Sequence, residues 1–171
     1  MRIFLCILLP LLWSSSNAFG QLQSATLQAT GLTCSMCSKA TFKKLQAIEG
    51  VQKITPDLDN TSFVLQFSPN NTTPIASIQK QVEAAGFSVG KLVLNYKIPA
   101  TTIANNTAVA FKGGQFIFIE TASTKKEGIV QLQVVNKGFI TDKEFKKLQA
   151  LATKYPGYDK AAPNQYFVKL L

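Results

Sequence analysis

Residues 31–37 read Gly-Leu-Thr-Cys-Ser-Met-Cys, which sets two thiols, Cys34 and Cys37, two residues apart. Such a pair can hold one soft metal ion or close as one redox disulfide. Thiolates select soft or borderline ions, here Cu(I), Hg(II) or Zn(II). Two thiolates satisfy Cu(I), which accepts low coordination, but leave tetrahedral Zn(II) short of two ligands. The chain has no histidine, its remaining cysteine is Cys6, and no carboxylate stands beside the motif. Counting ligands favours Cu(I) or Hg(II).

The start of a helix is a good place for such a pair. Unpaired backbone N–H groups and the positive end of the helix dipole stabilise anionic sulfur. Lys39, Lys43 and Lys44 offset part of the charge of two thiolates. An open site on an exposed loop also permits handover, because an incoming thiol can bond the ion before the first thiol lets go. Met36, between the cysteines, can be read as a third soft ligand, but the expectation is that it lies exposed and only tunes access.

The first 20 residues have the marks of a targeting segment. Arg2 precedes an apolar run over 3–13, and 14–20 turn small and polar, with Ser16-Asn17-Ala18 or Ala18-Phe19-Gly20 as cleavage sites. The run is shorter than the roughly 20 apolar residues that a spanning helix needs. Cys6 leaves with it. The sequence thus predicts an exported protein starting near Gln21, periplasmic if its source is a Gram-negative bacterium. Taking Arg2 from a formal net charge of +9 leaves +8. A basic exported domain meets acidic partners or, transiently, an anionic membrane surface. Nucleic acid is excluded, because the lysines are scattered and the compartment is wrong. In that compartment a Cys34–Cys37 disulfide is a natural resting state, and metal loading then requires a reductant.

The elements that must position the pair follow from hydrophobic periodicity. Residues 22–30 alternate as a strand, 31–33 form a loop, and 37–48 carry Ala40, Thr41, Leu45 and Ile48 at helical spacing. Gly50 ends that helix. Strands over 51–58 and 62–67 flank an Asp59-Asn60-Thr61 turn. Pro74 opens a second helix with Ile75, Ile78, Val82 and Ala85 inward, Gly86 closes it, and 87–94 is a strand. The order strand, helix, strand, strand, helix, strand is that of a ferredoxin-like βαββαβ sandwich, an α+β fold.

Beyond it the sequence predicts a linker or edge segment over 95–107, marked by Pro99 and Asn105-Asn106-Thr107, then a second small α+β unit over 108–171. Its elements are strands over 108–111, 115–121, 129–135 and 166–170, and a helix over 142–154 capped by Thr141, with Phe145, Leu148, Leu151 and Ala152 inward. The run Phe42-Lys43-Lys44-Leu45-Gln46-Ala47 recurs at 145–150. The flanking residues do not extend the match, which favours two similar amphipathic helices over a duplicated domain.

The Gly31–Cys37 run, followed by Glu49-Gly50-Val51 and by Glu83-Ala84-Ala85-Gly86-Phe87, resembles the heavy-metal-associated domain family over 21–94. That family includes copper chaperones, the N-terminal domains of copper-transporting ATPases and a periplasmic mercury-binding protein. The resemblance implies that Cys34 and Cys37 ligate the metal, that Leu32 and Thr33 support the loop, and that Phe87 shields the site from the opposite loop. It also implies a metal-transporting ATPase or efflux component as partner, reached by thiol ligand exchange from a monomer. Leu32 stands for the family's usual methionine, a volume-conserving change. Thr41 and Lys44 depart from its apolar or small residues.

The sequence therefore predicts an exported soft-metal-binding protein that carries Cu(I), with Hg(II) as the variant metal, and that is not an enzyme. Without histidine the commonest acid–base and nucleophile-activating arrangements are missing. A thiol–disulfide redox protein is the alternative from another class. It would call for an aromatic residue where Thr33 stands and a thioredoxin-like frame. A third reading is a module whose metal site gates a protein contact made by the second half.

Overall fold

Alternating apolar and polar residues set most strand positions, and the strands collect into one sheet. The computed structural model describes residues 21–57 and 59–171. The expected targeting segment 1–20 lies outside the described residues, as does Leu58. In chain order the first half contains β1 (Gln21–Thr30), α1 (Ser35–Gln46), β2 (Val51–Asp57), β3 (Ser62–Phe67), α2 (Ile75–Ala84) and β4 (Ser88–Ile103). The second half contains β5 (Ala108–Phe111), β6 (Gly114–Phe118), β7 (Thr124–Val134), α3 (Asp142–Gln149) and β8 (Gln165–Leu170).

The sheet order is β2-β3-β1-β4-β7-β8-β6-β5. Its first four strands are antiparallel neighbours, as the ferredoxin-like order requires. Leu27, Leu65, Leu92 and Leu94 point to one face and meet Leu45 of α1 and Ile78 and Val82 of α2, all fully buried. Of the expected stripe Thr41, Leu45 and Ile48 are buried, whereas Ala40 is exposed. At the hairpin tip both the side-chain and backbone amides of Asn60 donate to the Asp57 carboxylate, holding its pKa below the ordinary value.

Of the stretch 95–107, expected as a linker or edge segment, residues 95–103 are strand and not a linker. β4 runs on to Ile103, with Tyr96, Ile98 and Ile103 buried and Asn95 and Lys97 on the other face. Pro99 suggests a break, but it sits at an irregularity between Ile98 and Thr101, where its missing N–H interrupts no regular pairing. The other edge of β4 pairs with β7, so the second half extends the first half's sheet. Phe116, Phe118, Leu132, Val134 and Val168 join the core that α1 and α2 cover.

The opposite face of the second half has its own core of Ile119, Val135, Ile140, Leu148, Tyr155, Tyr158 and Phe167. Tyr166 and Phe167, adjacent on β8, serve opposite faces, as strand alternation demands. Thr141 caps α3 by accepting from the Glu144 N–H. The helix stops at Gln149, short of the expected 154, and Leu151 is exposed. Tyr155 and Tyr158 close this core in its place. The Tyr158 hydroxyl donates to the Val135 carbonyl. Burial, with the charges of Glu144 and Glu120, raises the Tyr158 pKa. Because α3 leads between adjacent antiparallel strands, its setting differs from that of α1, which leads to a strand that is not a neighbour of β1.

One contact ties β8 to α2. Pro74 offers no side-chain cap, and the Tyr166 hydroxyl instead accepts the Ala76 N–H at 3.2 Å. Replacing Tyr166 by Phe should lower stability by about 1 kcal/mol, the usual net worth of one hydrogen bond. The Tyr155 hydroxyl, by contrast, is buried without a partner among the described residues. Tyr155→Phe should therefore raise stability by about 1 kcal/mol, since it removes a desolvated group that gains nothing. Urea unfolding midpoints test both, and equal shifts in the same direction would refute the distinction.

Candidate functional site

The Cys34–Cys37 loop is built by the end of β1 and the first turn of α1. Gly31 turns the chain in the left-handed region, at φ 84°, where a side chain would be strained. A Cβ there would touch the Phe87 ring at 3.6 Å, so this ring already lies against the loop's backbone. Leu32 then turns inward, 8% exposed, and joins the main core. Thr33 faces solvent. The Thr30 hydroxyl donates to the Ser88 carbonyl, fixing the loop's root to the start of β4.

Cys34 is the N-cap of α1, with extended backbone at φ −144° and ψ 156°. Its sulfur accepts the Cys37 N–H at 3.2 Å, and its carbonyl accepts the Ser38 N–H. One cysteine thus uses its sulfur for a task usually given to Ser, Thr, Asp or Asn. No acidic residue occupies the first turn of α1, so the N-terminal dipole is left to act on sulfur. Cys37 is half-buried and packs against the core, whereas Cys34 is exposed. Thr41 is fully buried, and its hydroxyl donates to the Cys37 carbonyl at 3.1 Å. The unexpected polar residue is therefore satisfied inside its own helix and braces the second cysteine.

The two sulfurs are joined as a disulfide across Cα atoms 5.3 Å apart. Two electrons and two protons open such a bond to two thiols, and a soft ion displaces both protons on binding. No group of three or more His, Cys, Asp or Glu side chains comes together among the described residues. The pair offers two thiolates, and the described residues add no cluster that would complete a tetrahedral site.

The structure brings Cys34, Cys37, Leu32, Thr33, Met36 and Phe87 to one end of the molecule, with Leu32 beneath and Phe87 beside the loop. Met36 is exposed, as expected from its place between the cysteines. The hairpin tip lies at this end too, where the Ala29 N–H donates to the Thr61 carbonyl. From the second half comes the 137–142 loop, which sequence reasoning missed as a neighbour. It forms one wall of a polar crevice of about 540 Å³, whose other wall includes Thr30, Glu83 and Ser88. No local signal announces that approach, because it depends on β4 pairing with β7. Beside the motif, α1 also flanks a shallow apolar hollow lined by Ser35, Ser38, Lys39, Phe42, Pro56 and Phe63.

Comparison with known proteins places a heavy-metal-associated domain over residues 26–88. Copper-transporting ATPase 1 of Mus musculus is 36% identical over 61 residues, which are 36% of this chain and 4% of the ATPase. The chain therefore spans only a small fraction of that relative's length. The mercuric transport protein periplasmic component of Serratia marcescens is 31% identical over 65 residues, 38% of this chain and 70% of that protein. Among solved structures, the yeast copper transporter domain CCC2A is 28% identical, with 38% of this chain and 88% of that domain covered at a TM-score of 0.35. With the Cys34–Cys37 loop held between β1 and α1 of a βαββαβ half, and with most of the mercuric component's length matched, the chain belongs to the heavy-metal-associated domain family.

Proposed function

We propose that this protein binds Cu(I) between the thiolates of Cys34 and Cys37 and passes it on by thiol ligand exchange. The observation that carries the reading is the ligand set: two sulfurs at an exposed helix start, with no further cluster of metal-binding side chains among the described residues. Two-coordinate Cu(I) needs nothing more, whereas Zn(II) would have to find two ligands elsewhere. Hg(II) is the variant cargo that the same count admits, and a mercuric transport component is among the relatives. The composition of 1–20 supports export, to the periplasm in a Gram-negative cell. There the pair must be reduced before it can load.

The receiving partner in this reading is a metal-transporting ATPase or an efflux component. Cys34 is the sulfur an incoming thiolate meets first, because it is exposed while Cys37 packs against the core. Leu32, Thr33 and Phe87 hold the loop, and the protein works as a carrier, not as an enzyme. Lys39, Lys43 and Lys44 give α1 an exposed basic flank that suits an acidic partner surface.

The disulfide itself favours a second reading, a thiol–disulfide redox protein. Its thiols would exchange with a protein disulfide and need no metal. In a third reading, metal at the pair gates a contact made by the second half. One set of measurements separates all three. Reduced protein under anaerobic conditions should bind one Cu(I), with two protons displaced, as read by native mass spectrometry. The Cys34→Ser/Cys37→Ser double variant should bind none, and cells carrying it should lose metal tolerance. Insulin reduction without metal would establish the redox reading instead. Unchanged tolerance with lost partner binding would establish the gating one.

A further inference from the structure

Sulfur is concentrated along this chain. Apart from Met1 and Cys6, every sulfur atom belongs to Cys34, Met36 or Cys37, and there is no histidine. All soft donors from residue 21 onward therefore fall within four consecutive positions. The two cysteines are the thiolate pair, which leaves one sulfur without a task.

Met36 is the odd one. Methionine is commonly a core residue, valued for filling irregular apolar space. Here it is 72% exposed, the most exposed of the large hydrophobic side chains among the described residues, while Leu32 a few residues earlier is buried as loop support. An apolar side chain left in water forgoes most of its burial energy. Met36 forms no cap and contributes no packing to either core. What it does present is a neutral thioether, a soft donor suited to Cu(I). Three rotatable bonds leave it free to turn. Neighbouring helix positions point apart, so Met36 meets an ion at Cys37 only by rotating its long side chain, whose sulfur stands three bonds from a Cα about 3.8 Å from that of Cys37.

We infer that Met36 is a third, transient sulfur donor to Cu(I), engaged when one of the two cysteine–copper bonds is open. The inference rests on the Cu(I) reading above. In handover an incoming thiolate forms a bond to copper and the bond from copper to Cys34 Sγ breaks. The Met36 Sδ lone pair takes the third position that Cys34 vacates, beside Cys37 and the incoming thiolate, and the released Cys34 thiolate takes a proton from water. Copper remains Cu(I) throughout, so the step consumes no oxidant or reductant. A thioether has no proton to lose, which lets it hold an ion at a moment when a thiol is being protonated. Uptake runs through the same species in reverse.

Met36 is the only methionine other than Met1, so selenomethionine labelling places a nearly unique probe at the site. The test uses the full chain, reduced and anaerobic, loaded with Cu(I) as wild type, as Cys34→Ser and as Cys34→Ser/Met36→Leu. Cys37→Ser serves as a parallel background. X-ray absorption at the selenium edge should show a copper neighbour in the Cys34→Ser protein, and Met36→Leu should abolish it, which excludes Met1 as its source. Chelator competition should show Met36→Leu weakening Cu(I) binding on the order of tenfold in that background, a change of the size that altered metal surroundings produce. Leu keeps the size and the exposed position, so the fold is not at stake. If both single-cysteine proteins bind Cu(I) with no selenium–copper neighbour and with affinity indifferent to Met36, the donor role is wrong while the two-thiolate reading stands. Loss of all Cu(I) binding in both single variants would equally refute the donor role. Failure of the reduced wild type to bind Cu(I) would overturn both readings.

Discussion

β4 is hydrogen-bonded along both edges, to β1 from Ser88 to Lys97 and to β7 from Leu92 to Ile103. The rest of the architecture depends on this double pairing. It makes a half that could be a four-stranded sandwich continuous with four further strands. It also lets one apolar face run from α1 and α2 across to Phe116, Phe118 and Val168. Tyr166, whose ring meets that of Phe139 with centroids 6.0 Å apart, crosses the join through its hydroxyl, which accepts the Ala76 N–H. Gly138 lies so close to the end of the Gln79 side chain that a Cβ there would displace it. The helix that precedes Phe87 is thus held at its start and along its side by residues from the second half.

The parts most legible in the sequence are those where a single residue type forces a local geometry. Gly86 closes α2 at φ 87°, with the Phe87 N–H donating back to the Val82 carbonyl, the C-terminal arrangement expected of glycine there. Cys34 and Cys37 are visible because their spacing is local, and so is the inward Leu32. The length of β4 is hidden because Pro99 and alternate polar residues imitate a linker. The inward pattern of Tyr96, Ile98 and Ile103 shows only when a bulge is allowed for. The second core is hidden for another reason. Tyr155 and Tyr158 occupy a turn-rich stretch around Pro156 and Gly157, where no periodicity of 2 or 3.6 exists to reveal them.

At the Cys34–Cys37 loop one group of atoms serves two ends. The same sulfur that caps α1 is half of the disulfide. Helix capping, redox state and metal capacity are consequently not independent properties. Reduction changes the charge and reach of the capping group, and the cost or gain falls on the first turn of α1. Thr41 lessens that dependence by bonding the Cys37 carbonyl from within the helix, where the redox state of the sulfurs does not reach.

β5, the outer strand on the side of the second half, differs in kind from β4, which it replaces at the margin. β4 is long, and as the last strand of a four-stranded sheet it would present a row of open N–H and C=O groups to any passing chain. Such an exposed margin is a standing invitation to intermolecular strand addition. The pairing with β7 withdraws it and moves the margin out to β5, only Ala108–Phe111. On the other side β2 carries an irregularity near Lys53, and Pro56, which cannot donate to a ladder. The extra strands therefore exchange a long, adhesive border for a short one, so that with β2 both borders are poorly suited to recruiting neighbours, a form of protection against self-association that a more isolated sandwich would have to obtain by other means.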